Sequence, residues 1–306
     1  MDGRTRIGLV LHPGRDCSPA VGQVAEWTSS HDVELVASVD DVTRLALPGL
    51  AAVGVEELAS SCDGIIALGG DGTLLGAMRL VSGRPVPVLG VNFGNLGFLA
   101  EVEEADLDAA LAAMAEGRST VERRGCLVVG HGGGESLAFN DVVLARVPGE
   151  GMVEATLSVS GRRYGHYRCD ALILATPMGS TAYSYAAGGP VVSPGTDAIL
   201  VTPSAPLNGI ARSVVLGPGE PLSLELTGGR PAFELDGVLT GRLDAGEVVT
   251  VQWRQDAGLL VRIDGSRAAD RSRVKLSLLD LPLLPQELLE LVPESLRRRL
   301  GDGSAP

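Results

Sequence analysis

Lysine is almost missing from this chain. Lys275 is the single example, and it lies far in sequence from the motifs described below. A bound anion must therefore be held by arginine, by backbone N–H groups or by a metal. Aromatic residues are scarce too, at 3%, so a core must be built from valine, leucine, isoleucine and alanine; 45% hydrophobic residues in 306 positions suffice for one large domain or two ordinary ones. The four cysteines (Cys17, Cys62, Cys126 and Cys169) have neither disulfide-framework nor metal-ligand spacing, and His12, His31, His131 and His166 are equally dispersed. Net positive charge is absent: the formal value is -13, which argues against sequence-independent binding to nucleic acid or to anionic membranes. No signal peptide is present and no apolar run is long enough to span a bilayer. The expectation is a cytoplasmic protein with reduced thiols.

The densest local pattern is Ile65-Ile66-Ala67-Leu68-Gly69-Gly70-Asp71-Gly72-Thr73-Leu74-Leu75. An apolar run reads as a buried parallel strand, three glycines break it, and Leu74, Leu75, Met78 and Leu80 continue with helical spacing. Strand, glycine-rich turn and helix N-terminus aim backbone N–H groups at one point, an arrangement suited to phosphate. The turn lacks the Lys-Ser/Thr ending of a P-loop and the spacing of the dinucleotide fingerprint. Asp71 faces that anion site, where it would bind a metal or accept a proton from a hydroxyl; the other reading is that it caps the helix.

Alternating strands and helices continue on either side, with strands at 7–11, 33–36, 64–68 and 86–90 and helices over 19–30 and 105–116. Residues 40–55 are poorly patterned and read as a connection. This is the pattern of a parallel α/β layer. From about Thr120 the texture changes to closely spaced Val-, Thr- and Leu-rich runs between glycine turns, the mark of an all-β domain, layered or sandwich-like. The expected division is an α/β domain over 1–120, a β-rich domain over 121–275, and an amphipathic tail over 276–306. That tail is rich in leucine and proline and ends in Arg297-Arg298-Arg299.

A second dense stretch runs from Asp170 through Thr176-Pro177-Met178-Gly179-Ser180-Thr181-Ala182-Tyr183 to Gly188-Gly189-Pro190. It reads as a buried strand entering a hydroxyl-rich loop, with Tyr183 offering an aromatic face. Taken with Gly69-Gly70-Asp71-Gly72-Thr73, with Gly90-Val91-Asn92, Gly94 and Leu96-Gly97-Phe98-Leu99, with Asn140-Asp141 and with Asp236-Gly237, this stretch resembles the NAD kinase family. The similarity extends over about Arg6 to Ile263. It implies an N-terminal α/β domain and a β-rich C-terminal domain with the site between them. It also implies transfer of phosphate from ATP, or from polyphosphate, to the adenosine-ribose 2′-hydroxyl of NAD, with a divalent metal, Mg²⁺, in a homo-oligomer of two or four subunits. Carried over by position, Asp71 is the base, and Gly69, Gly70, Gly72 and Thr73 hold donor phosphate, Gly72 also lying against the substrate. Asn140 and Asp141 bind the dinucleotide, Arg168 and Asp170 flank it, and Thr181, Ala182, Tyr183, Ser184, Tyr185 and Ala186 line it.

The chain departs from the family pattern at Met178, where Thr is usual, at Ala171 for Gly, at Gly76 for Arg, at Leu207 for His and at Val238 for Gln. These departures leave the catalytic turn intact. Two other readings are a related lipid or sugar kinase, which shares the Gly-Gly-Asp-Gly turn but not the Thr181-Ala182-Tyr183 block, and a dinucleotide sensor without turnover.

Overall fold

The structure, a computed structural model, describes residues 5–47, 49–93 and 99–263. The tail over 276–306 and the Gly94 to Phe98 part of the second glycine-rich turn lie outside these residues.

Five parallel strands form the N-terminal layer: β1 (Arg6–Leu11), β2 (Glu34–Ser38), β3 (Ala51–Val53), β4 (Gly64–Gly69) and β5 (Pro87–Asn92), in the order β3-β2-β1-β4-β5. Helices cover both faces, which explains the unbroken apolar run in β4. Ile66 and Leu68 pack with Val21 and Val24 of the helix Ser18–Ser30 and Leu111 of the helix Leu107–Ala115. Ile65 and Ala67 point the other way, onto Leu58 and onto Leu74 and Met78 of the helix Asp71–Leu80.

The unpatterned stretch 40–55 is structured. Ser38 caps a short helix, Val39–Arg44, by accepting the Asp41 N–H at 3.1 Å. β3 follows as a three-residue edge strand, and the helix Val55–Ser61 returns. Ala51 and Ala52 are exposed, so no alternation of apolar and polar residues marks this strand.

The C-terminal part is antiparallel. One layer has six strands in the order 214–216, 199–204, 171–175, 141–145, 232–235 and 238–242. A second layer contains the strands Val153–Val159, Arg162–Cys169, Leu222–Gly228 and Thr120–His131. Leu144, Leu174 and Val201 of the first layer meet Leu157, Leu224 and Val251 of the second in an aliphatic core. The long strand Val248–Arg262 joins the two halves. Its beginning runs antiparallel to Leu222–Gly228, and Leu259 and Leu260 run parallel to Pro87 and Val88 of β5, so one sheet passes from the β-rich part into the α/β layer.

Candidate active site

The first half of the site is built at the C-terminal edge of the parallel sheet, where open α/β folds place ligands. β4 ends at Gly69, Gly70 occupies the cap position with extended backbone (φ -109°, ψ -167°), and Asp71 is the first helical residue. Gly69 is glycine for an internal reason, since a Cβ there would come within 2.2 Å of Thr73 Oγ1. Gly70 and Gly72 have no such neighbour within 4 Å; their missing side chains leave open space above the helix N-terminus.

Asp71 makes no N-cap bond. The cap position is Gly70's, and the Asp71 carboxylate reaches across to accept the backbone N–H groups of Leu99 at 3.0 Å and Ala100 at 3.4 Å. That segment is itself held by Arg262, which donates to the Leu99 carbonyl at 3.0 Å and to Glu122 at 2.7 Å. On the loop after β1, next to β4 through the His12 N–H and the Leu68 carbonyl (2.9 Å), Arg15 is exposed and takes part in no ion pair among the described residues.

The second half centres on the break between the strands Gly134–Ala138 and Asp141–Ala145. There the backbone N–H groups of Phe139, Asn140 and Asp141 all donate to the Asp236 carboxylate, at 3.1, 2.7 and 3.1 Å. The carbonyl side is held by Thr176, whose Oγ1 donates to the Phe139 carbonyl at 2.6 Å and whose N–H donates to that of Asn140 at 2.9 Å. The expected loop after Thr176 is a 3₁₀ turn, Met178–Thr181, followed by a helical turn, Tyr183–Ala186. Gly179 sits directly on Asn140, where a Cβ would lie 2.0 Å from its carbonyl oxygen.

The Tyr183 backbone N–H lies near enough to the Asp141 carboxylate to favour its charged form, bringing two of the expected substrate-binding segments together. Burial, with the charges of Asp236 and Glu234, pushes the Asp141 carboxyl up to about 7. Asn140 Oδ1 and Thr181 Oγ1 are buried without a hydrogen-bond partner. Both atoms retain bonding capacity that a polar ligand could complete. Tyr183 is 41% exposed and its ring is available for stacking, whereas Ser184 is fully buried and bonds Thr202 Oγ1 at 3.0 Å. Ser184 therefore serves the loop's internal structure.

Arg168 and Asp170 do not pair with one another. Arg168 meets Glu154 at 3.0 Å and Asp170 meets Arg146 at 3.2 Å. Asp170 is close enough for its charge, after burial and Glu234, to help raise the Tyr183 hydroxyl. Sequence reasoning passed over Arg79 and Arg262, for which no local pattern exists, and noted Asp236 only as part of a turn.

The profile described as ATP-NAD kinase N-terminal domain matches residues 8–119, and the one described as ATP-NAD kinase C-terminal domain matches 139–270. The chain belongs to the NAD kinase family. It is 35% identical to NAD kinase 1 of Streptomyces avermitilis over 91% of this chain and 88% of that protein, and 41% identical to the NAD kinase of Symbiobacterium thermophilum over 76% and 85%. Among solved structures, the NAD kinase of Archaeoglobus fulgidus in complex with ATP matches with a TM-score of 0.69 and 25% identity, over 89% of this chain and 99% of that one. Yeast NADH kinase complexed with NADH matches in fold with a TM-score of 0.78 and 22% identity, over 90% and 87%. These relatives and the α/β plus antiparallel-β architecture agree with the family resemblance read from the motifs.

Among the described residues no group of three or more His, Cys, Asp or Glu side chains could hold a metal, and no helix is long and apolar enough to cross a membrane. A single carboxylate beside an open, glycine-lined turn fits a cation that arrives on donor phosphates, because Mg²⁺ is commonly bound by one or two carboxylates plus substrate oxygens.

Asp141 also makes the fold sensitive to pH. A carboxyl moved from 3.8 to about 7 resists ionisation in the folded state, an effect of order 4 kcal/mol at most. Its stabilising contribution is complete below pH 3.8 and is lost as pH rises through 7. Asp141→Asn keeps an acceptor for the Tyr183 N–H and cannot ionise. The difference in melting temperature, variant minus wild type, should grow between pH 5 and pH 8 and then level off. A flat difference across that range would show that Asp141 ionises freely.

Proposed function

We propose that this chain is an NAD kinase, transferring the γ-phosphoryl group of ATP to the adenosine-ribose 2′-hydroxyl of NAD. The observations that support the reading are the Asp71 carboxylate beside the open Gly70–Gly72 turn and the buried, unpartnered polar atoms of Asn140 and Thr181. Asn140 and Asp141 bind ribose hydroxyls and Thr181 bonds the dinucleotide's polar edge. Tyr183 stacks on a base, while Ala182, Tyr185 and Ala186 give the wall its shape. Arg168 and Asp170 flank the substrate.

Phosphoryl transfer gains most from placement and charge neutralisation, because its transition state is loose. Backbone N–H groups of the Gly69–Thr73 turn and the helix N-terminus hold the donor phosphates. Asp71, fixed by the Leu99 and Ala100 N–H groups, accepts a hydrogen bond from the 2′-hydroxyl and takes its proton as the new O–P bond forms and the bond from the γ-phosphorus to the bridging oxygen breaks, releasing ADP. Mg²⁺ bound to the donor supplies charge neutralisation for the phosphate oxygens. ATP is the donor we favour, with polyphosphate as the competing substrate, in a cytoplasmic homo-oligomer. Purified protein with NAD, ATP and Mg²⁺ should form NADP, and omission of the metal should abolish it. NAD binding without NADP formation under any donor and metal would reject the reading.

Gly72 allows a narrower test. Its site has room for a methyl group in the free protein and it lies in a helix, so Gly72→Ala should fold with a melting temperature at or somewhat above that of the wild type. A methyl group occupying phosphate space should raise the KM for ATP about tenfold, of order 1.4 kcal/mol. An unchanged KM would place the donor elsewhere.

A further inference from the structure

Asp236 sits on the hairpin between the strands Ala232–Leu235 and Val238–Arg242, with φ +48°, followed by Gly237 at φ +75°. Two successive left-handed residues make the tight turn for which Asp-Gly is suited. The turn aims the Asp236 side chain inward, where its carboxylate is 0% exposed. It then binds two unconnected parts of the site. Three consecutive N–H groups, of Phe139, Asn140 and Asp141, converge on it, and Arg79 donates to its Oδ2. Arg79 lies in the last turn of the helix that begins with Asp71.

A buried carboxylate with three N–H donors and a guanidinium is fully satisfied, so it holds its place as a rigid pin. The helix is a stiff strut with the base at one end and the pinned arginine at the other. Phe139 and Asn140 lie between strands and Asp141 opens one beside Ala175, and the N–H groups of all three donate to Asp236. We propose that Asp236, together with Arg79, is a positioning residue that fixes the Asp71 helix relative to the Asn140-Asp141 segment. The inference rests on the function proposed above. It accounts for a polar contact between side chains 157 residues apart in sequence.

The test uses Arg79→Met, Arg79→Lys and Asp236→Asn in the full chain, with kcat, KM for NAD, calorimetric NAD affinity and thermal unfolding on each. All kinetics are run well below each variant's melting temperature. Displacing a base by even 1 Å costs up to about 10²-fold, so Arg79→Met should lower kcat about tenfold or more, while NAD affinity weakens about threefold. Arg79→Lys should recover much of that loss, because the ammonium keeps the charge. Asp236→Asn should lower kcat and weaken NAD binding together, because it disturbs both contacts. A folded Arg79→Met protein with wild-type kcat and affinity, even with a lower melting temperature, overturns the proposal. Should Asp236→Asn fail to fold, Arg79→Met decides alone. If the wild type forms no NADP, the proposed function falls, and NAD affinity decides the positioning role: weakening in Arg79→Met supports it, and unchanged affinity overturns it.

Discussion

Asp71→Asn should lower the rate of NADP formation by at least about 10²-fold, with little change in NAD affinity or in melting temperature. Asparagine has the size of aspartate, and its Oδ1 can still accept the Leu99 and Ala100 N–H groups that fix the side chain. It has no negative charge and cannot take the proton of the 2′-hydroxyl. A helix-capping role predicts the opposite outcome, since asparagine caps as well as aspartate. In this fold the cap position belongs to Gly70, which already makes that role untenable. Steady-state NADP formation by a folded variant at near wild-type rate would remove Asp71 from the chemistry.

Gly179→Ala should be as damaging by a different route. The added methyl would lie 2.0 Å from the Asn140 carbonyl oxygen, 2.5 Å from its carbon and 2.7 Å from its Cα, and all three are backbone atoms that cannot rotate away. Either the Met178–Thr181 turn lifts or the 139–141 segment moves, and that segment is held by Asp236 and Thr176. Overpacking of this kind costs about 3 kcal/mol or more. Thr181 and Tyr183 would be carried away from Asn140 and Asp141, so the KM for NAD should rise by well over tenfold. Thermal unfolding and NAD titration measure the two effects separately. A variant with wild-type melting temperature and KM would show that the turn has slack.

The parts of this molecule that could be read from sequence are those whose cause is local. β4 and the helix after it were visible because burial on both faces leaves Ile65 to Leu68 without a polar residue, and the glycines mark the turn. The strand Ala171–Ala175 was visible for the same reason. Arg162–Cys169 was not, because an exposed strand near the sheet edge can carry arginine, glycine and histidine where a buried one cannot. The helical turns after Pro177 looked like a loop, since Gly179 packs on Asn140 and bonds Thr176, and Ser180 and Ser184 bond Val192 and Thr202, instead of following a helical stripe. Asp236-Gly237 entered the sequence reading only as a turn among the blocks of the family resemblance. Its carboxylate's partners come from positions 79 and 139–141, and no local periodicity encodes such a meeting.

The strand Val248–Arg262 bears on how the chain is made. On the side away from β4, Pro87 and Val88 of β5 find their neighbour only when Leu259 and Leu260 have been synthesised, although Val102–Glu103 covers the other end of the same edge earlier. At ribosomal speed that interval is on the order of ten seconds or longer. Throughout it the nascent α/β layer carries an unfinished parallel edge of apolar residues, open to pairing with another chain. The first half expressed alone would keep that edge permanently, so truncation near residue 120 should yield a protein that associates in proportion to its concentration, with the missing strand supplied in trans as its natural solubiliser.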